Sequence, residues 1–336
     1  MCGRNTFSLS KIIIIIHQSN FVIKYTKKMN KILVAGGAGF IGSNLCEFLL
    51  SDKRNYIICL DNFSTGSKRN IQHLLSNKNF QFIEGDICKK LNIKVDQIYN
   101  LACPASPIQY QRLPIETMNA CIDGSRNLLE LAKANNATIL QSSTSEVYGD
   151  PMEHPQNESY FGNVNINGPR SCYDEGKRMA ETIFCNHRDI YNIDIRIARI
   201  FNTYGPKMEK NDGRVISNFI VQALSGQDIT IYGDGKQTRS FCYIDDMVIG
   251  LTSLMNSNFS NPINLGNDTE FSVIDAAKKI IELTASSSNI IFKPFPENDP
   301  FRRKPDLLLA KRKLNFQPSI SFSVGLEKTI LYFDKM

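Results

Sequence analysis

The chain has few histidines, only four in 336 residues, and they are scattered. Its nine cysteines (positions 2, 46, 59, 88, 103, 121, 172, 185 and 242) are odd in number and include no Cys-x-x-Cys. Neither a disulfide framework nor a zinc site is suggested, no metal is expected, and a reducing cytoplasm fits best. Long apolar runs are missing as well. Ile12 to Ile16 is the only long apolar block of the head, far short of the roughly 20 residues that a spanning helix needs. No small-residue cleavage pattern follows it, which argues against a secretory signal and for no membrane span. Acidic residues are absent from positions 1–28, which hold Arg4, Lys11, Lys24, Lys27 and Lys28. Without those five, 34 Lys and Arg face 33 Asp and Glu, so five of the six formal positive charges belong to the head and the body is nearly neutral. No basic stripe remains to argue for nucleic acid. Residues 1–28 are expected to be a disordered extension, a start misplaced upstream of Met29, or a weak targeting segment. There is no internal repeat and no long low-complexity region.

What is present begins at Lys31. Ile32 to Ala35 is a short apolar run of the kind a buried parallel strand gives. Glycines follow at 36, 39 and 42, and residues 43–50 read as a helix. This spacing lets the chain turn tightly, approach a pyrophosphate closely and pack the helix on the strand, with phosphate at the helix N-terminus. A glycine motif alone is weak evidence, but here it has the strand before it and the helix after it. A second strand, Tyr56 to Leu60, ends at Asp61, placed to accept from both ribose hydroxyls and to favour NAD over a 2′-phosphate. Nearby Lys68 and Arg69 leave NADP open, and an ordinary turn aspartate is the plainer alternative.

Further strands are expected at Phe80–Ile87, with Asp86 near the adenine, at Gln97–Ala102, at Thr138–Ser143 and at Asp194–Ile200. A helix is expected over about 115–135. Strands alternating with helices indicate an α/β fold with a doubly wound parallel sheet. Ligands in such sheets sit beyond the carboxyl ends of strands, so Thr144, Ser145 and Glu146 are placed to meet a substrate. A second helix is expected from about Tyr173 to Asn192. Positions i and i+4 share a helix face, so Tyr173 and Lys177 point into one cleft. A nearby ammonium favours a phenolate, which makes the pair a proton shuttle with a lowered tyrosine pKa. A solvent-exposed Tyr and Lys on an amphipathic helix is the alternative for that pair alone.

The combination of GGAGFIG (36–42), STSEVYG (143–149) and YDEGK (173–177) resembles the extended short-chain dehydrogenase/reductase family of nucleotide-sugar enzymes. Further matching stretches, among them LACPASP (101–107), ARIFNTYGP (198–206), YGDGKQTRSF (232–241) and NDPFRRKPD (298–306), carry the likeness over about residues 31–333. The resemblance implies a Rossmann-type NAD-binding domain over 29–203 and a smaller α/β substrate-binding lobe over 204–336, with the chain crossing between them more than once. It implies NAD held by Gly36, Gly39, Phe40, Ile41, Gly42, Asp61, Asn62, Asp86, Ile87 and Ala102, with Tyr173 and Lys177. It implies a homodimer formed through the helix near 115–134 and the one that carries Tyr173.

Within the family, the pattern resembles the decarboxylating branch, whose substrate is UDP-glucuronate and whose product is UDP-xylose. Tyr173 would then be the base at the sugar C4 hydroxyl, helped by Lys177 and Thr144. The 4,6-dehydratases carry Asp-Glu where this chain has Ser145 and Glu146, and epimerases usually lack the Glu. Glu146 would assist decarboxylation or protonation at C5, with its pKa raised beside the substrate carboxylate or with that charged ground state destabilised. Asn202, Arg214, Tyr232, Arg239 and Arg303 match positions around the UDP or the sugar. Arg303 matches the position tied to the glucuronate carboxylate, with its register against Arg302 open. A 4-epimerase, a 4,6-dehydratase and a catalytically silent dinucleotide-binding protein stay open as alternatives.

Overall fold

The computed structural model describes residues 29–295 and 300–336. The expectations for residues 1–28 lie outside the described residues. Six parallel strands, β1 (Asn30–Ala35), β2 (Asn55–Asp61), β3 (Phe80–Glu84), β4 (Gln97–Asn100), β5 (Thr138–Thr144) and β6 (Ile195–Ile200), build the main sheet. A seventh strand, Pro262–Leu265, joins beside β6, and the order across the sheet is seventh, β6, β5, β4, β1, β2, β3. The order reverses at β1 and β4, where Ala35 lies opposite Asn100, and that switch point opens a crevice for a ligand.

The apolar run of β1 is explained by burial on both faces. Ile32 and Val34 pack into one cluster with Leu45, Cys46 and Leu49 of α1 (Phe40–Leu50). Leu33 and Ala35 face the other way, into a cluster with Leu128, Leu129, Ile183 and Phe184. The last two lie on the helix Ser171–Tyr191, which ends at Asn192 in the left-handed conformation (φ 54) that Asn tolerates at a helix C-terminus.

The helix expected over about 115–135 is present, but its middle is not regular. Pro114–Asn119 and Ser125–Asn135 flank one wider turn, Ala120–Gly124. The seventh strand went unread in the sequence, and Ile244–Met255 packs Met247 and Leu251 into the same cluster as α1. The part of the chain after 203 thus also supplies sheet and helix to the first layer. Its remainder forms short strand sets, 229–232 with 290–293, and 238–240 between 270–272 and 302–303. Among the described residues, no helix is long and apolar enough to cross a membrane.

Candidate active site

A cleft of about 900 Å³ runs across the carboxyl ends of β1, β4 and β5 and under the short strands of the later half. At one end, Gly36 sits at φ +75 with Leu101 and Ala102 against it, so a Cβ there would lie 2.7 Å from the Ala102 nitrogen. A Cβ on Gly42 would collide with the Gly36 carbonyl oxygen, so that glycine is what lets α1 close onto the turn. Asp61 ends β2, is 8% exposed, and accepts hydrogen bonds from the backbone N–H groups of Ala38 (2.9 Å) and Phe63 (2.8 Å). Burial nevertheless raises its carboxyl above the ordinary value, against the pull of those N–H donors. Asn62, Asp86, Ile87, Phe40, Ile41 and Gly39 line the same end. A glycine turn with no room for side chains, a helix N-terminus and a carboxylate at the tip of β2 fit a dinucleotide.

Tyr173 and Lys177 lie at the centre of the cleft, 6% and 3% exposed. They are therefore not an exposed pair on an amphipathic helix. Further along that helix, Glu181 holds Arg199 (2.8 Å) and Ser143 and ties the helix to β5 and β6. The Tyr173 ring stacks on Tyr110, with centroids 5.0 Å apart and planes 7° apart. Thr144 lines the same cleft and favours the ionised form of the Tyr173 hydroxyl. Lys177 Nζ donates to the Ser142 carbonyl at 2.8 Å and stands 5.7 Å from the centre of the Tyr173 ring. The expected lowering of the tyrosine pKa is corrected here. Burial drives the phenol well above its ordinary value, nearby Cys103 adds to this, and Thr144 opposes it.

Glu146 is gripped on both sides, by Arg303 at one carboxylate oxygen and by Arg170 at the other. Burial raises its pKa, but Arg170, Arg303 and Arg239 outweigh burial and leave it below the ordinary carboxylate value. Without a substrate carboxylate beside it, the arginines therefore favour Glu146 as an anion. Of the two neighbouring arginines, Arg302 is exposed, whereas Arg303 is 3% exposed, lines the cleft and donates to the Gly149 carbonyl at 3.2 Å. Arg303 lies on a short strand opposite Arg239, which donates to the Thr238 carbonyl at 2.9 Å. Asn202, Arg214 and Tyr232 line the cleft with them, and Arg214 also reaches Asp212 at 3.6 Å.

Arg170 and Tyr110 escaped the sequence reading. Arg170 immediately precedes the Tyr173 helix and lies four residues before Asp174, a spacing that could have drawn attention to it. Tyr110 is far from Tyr173 in the chain, and no local pattern marks the stacking. Asp174 shares a smaller cavity of about 400 Å³ with Glu146 and Arg170. Burial, then repulsion from Glu146, pushes its carboxyl up to about 7. Its folded value exceeds the unfolded one, so between about pH 4 and 7 the folded chain holds a proton that the unfolded chain has lost. Stability therefore falls as pH rises through that window and levels off above it. Asp174→Asn is expected to remove this slope and to raise the melting temperature at pH 8 by about 2–6 °C. Equal pH slopes in wild type and variant, read by thermal unfolding, would contradict this account.

Fold and cleft together define a nucleotide-sugar enzyme of the short-chain dehydrogenase/reductase class. A family model described as GDP-mannose 4,6 dehydratase matches residues 33–329. UDP-glucuronic acid decarboxylase 1 of Danio rerio is 50% identical over 92% of this chain and 74% of its own length. UDP-glucuronic acid decarboxylase 5 of Arabidopsis thaliana is 50% identical over 90% of this chain and 89% of its own. Among solved structures, UDP-glucuronic acid 4-epimerase of Bacillus cereus, in complex with UDP-glucuronic acid and NAD, superposes with a TM-score of 0.82 at 30% identity. That match covers 91% of this chain and 99% of the epimerase. The chain belongs to the GDP-mannose 4,6 dehydratase family of extended short-chain dehydrogenases/reductases.

Proposed function

We propose that this enzyme converts UDP-glucuronate into UDP-xylose and CO2, using NAD that is regenerated within the cycle. One observation carries the choice within the family: a fixed Glu146 held between two arginines, with Ser145 rather than an acid beside it, in the cleft that holds Tyr173 and Lys177. Gly36, Gly39 and Gly42 would hold the pyrophosphate of an NAD, which would supply reversible hydride exchange with the sugar C4.

The protein's own groups do the rest. Tyr173 takes the proton of the C4 hydroxyl, with Thr144 sharing the hydrogen bond and the Lys177 ammonium favouring the phenolate. The stacked Tyr110 ring holds the phenol in place. Arg303 and Arg170 face two anions once the sugar carboxylate arrives beside Glu146, and this pairs the charges two to two. With a carbonyl at C4, the carboxylate leaves as CO2 and its bonding electron pair moves into the enolate. A proton returned to C5 completes the step. The Ser145 hydroxyl is too weak an acid to protonate a departing C6 hydroxyl, which separates this chemistry from dehydration. Asn202, Arg214, Tyr232 and Arg239 hold the UDP and the sugar, since guanidinium groups suit a pyrophosphate.

Incubation with UDP-glucuronate and catalytic NAD+, followed by mass spectrometry of the nucleotide sugars, tests this reading. A UDP-pentose formed without stoichiometric NADH is expected. A nucleotide sugar of unchanged mass but inverted at C4 would make the enzyme an epimerase. Asp61→Ala is expected to weaken NAD about tenfold or more, the worth of a charge-assisted hydrogen bond, and to narrow the preference over NADP. Unchanged NAD titrations would take Asp61 out of the cofactor site. We also propose a cytoplasmic homodimer joined through the 114–135 helical stretch and the Tyr173 helix. Exposed Ile115 and Met179 on those elements support it, and sedentary monomers in sedimentation velocity would count against it.

A further inference from the structure

Cys103 follows β4 and lines the cleft. Its Sγ lies 3.6 Å from Sγ of Cys121, which sits in the wider turn Ala120–Gly124. Behind Cys121 is the Tyr173 helix: a Cβ on Gly176 would come within 3.2 Å of the Cys121 Sγ, so the two packed surfaces leave no slack. A second neighbouring thiol pair, Cys46 and Cys59, is fully buried, so no reagent meets it in the folded state. Only the Cys103 pair, among the described residues, combines a close thiol partner with an opening into the cleft.

We propose that Cys103 is a modification site for peroxide-class oxidants inside the cofactor cleft, with Cys121 as its resolving thiol. The Cys103 thiolate attacks one oxygen of hydrogen peroxide, the O–O bond breaks and hydroxide leaves, giving a sulfenic acid. The Cys121 sulfur then attacks the Cys103 sulfur, its proton and the departing hydroxyl form water, and a disulfide remains. Two thiols lose two electrons to one peroxide. A dithiol reductant restores the pair by exchange.

Electrostatics favour the first step at Cys103. The hydrogen bond from Cys121, working against burial and with help from the Lys177 ammonium, brings the Cys103 thiol down to about 7. Cys88 is pushed up to about 12 by burial and by Asp86, and burial also raises Cys172 and Cys185. Closing the gap to a bond of about 2.05 Å pulls the loop after β4 and the wider turn together. That turn bears on Gly176, between Tyr173 and Lys177, so the cross-link disturbs the proton shuttle and the nicotinamide end of the cleft. This inference holds whichever sugar the enzyme takes.

The test treats the purified full chain with hydrogen peroxide, maps peptides by mass spectrometry without reduction, and follows NAD binding by titration. The expected result is a Cys103–Cys121 cross-linked peptide as the first product, formed at least about tenfold faster than oxidation of Cys88, Cys172 or Cys185. NAD affinity should fall in step with the cross-linked fraction and recover with dithiothreitol. Saturating NAD should slow the reaction. In Cys121→Ser, Cys103 should instead accumulate as a sulfenic acid trapped by dimedone. The proposal is overturned if other cysteines oxidise first. It is equally overturned if the cross-link forms with NAD binding unchanged. The wild-type map decides even if the variant does not fold.

Discussion

Tyr173→Phe is expected to lower turnover of UDP-glucuronate about a thousandfold while NAD and UDP binding stay nearly unchanged. The phenyl ring keeps the stacking on Tyr110, so the packing around it survives. What is lost is the hydroxyl that the proposed mechanism uses to take and return the C4 proton. General acid–base groups typically contribute 10²- to 10⁴-fold, and the middle of that range is about a thousand. Steady-state kinetics beside NAD and UDP titrations check the claim. Undiminished turnover would remove Tyr173 from the mechanism.

Arg303→Ala is expected to cost at least about a hundredfold in kcat/KM for UDP-glucuronate. Truncating one member of a buried hydrogen-bonded charge pair typically costs 2–5 kcal/mol, partly because the other charge is left without its partner. Here Glu146 keeps Arg170, so the fold should survive. The loss should fall on the bound sugar carboxylate, which would meet an anion and one cation rather than two. Arg303→Lys should recover only part of the rate, because an ammonium cannot reproduce the two-pronged guanidinium contact with Glu146 and the Gly149 carbonyl. Normal kinetics in Arg303→Ala would point to Arg170 as the group that holds the carboxylate.

The two predictions rest on features that differ in how far the sequence revealed them. Gly36, Gly39 and Gly42 could be read because they lie between a strand and a helix, and local spacing fixes what a turn there can do. The i, i+4 relation between Tyr173 and Lys177 is likewise local. The charge state of the site was not legible. Whether Glu146 ionises depends on Arg170, 24 residues away, and on Arg303, 157 residues away. Burial and the two guanidinium groups act in opposite directions, and only coordinates reveal which wins. Tyr173 was misjudged for the same reason: the spacing placed an ammonium nearby, but desolvation depends on Tyr110 and on the depth of the cleft. The seventh strand was missed because Pro262–Leu265 is four residues long and pairs with β6, some sixty residues earlier.

The Glu146–Arg303 pair also bears on the order in which the enzyme becomes competent during synthesis. Strands β1 to β6 and the Tyr173 helix emerge from the ribosome well before residue 303. A nascent chain can therefore shape its dinucleotide turn and its proton shuttle while the carboxylate grip is still missing. Until the segment with Arg303 docks, Glu146 has one counter-ion instead of two, and the pocket has no guanidinium to spare for an acidic sugar.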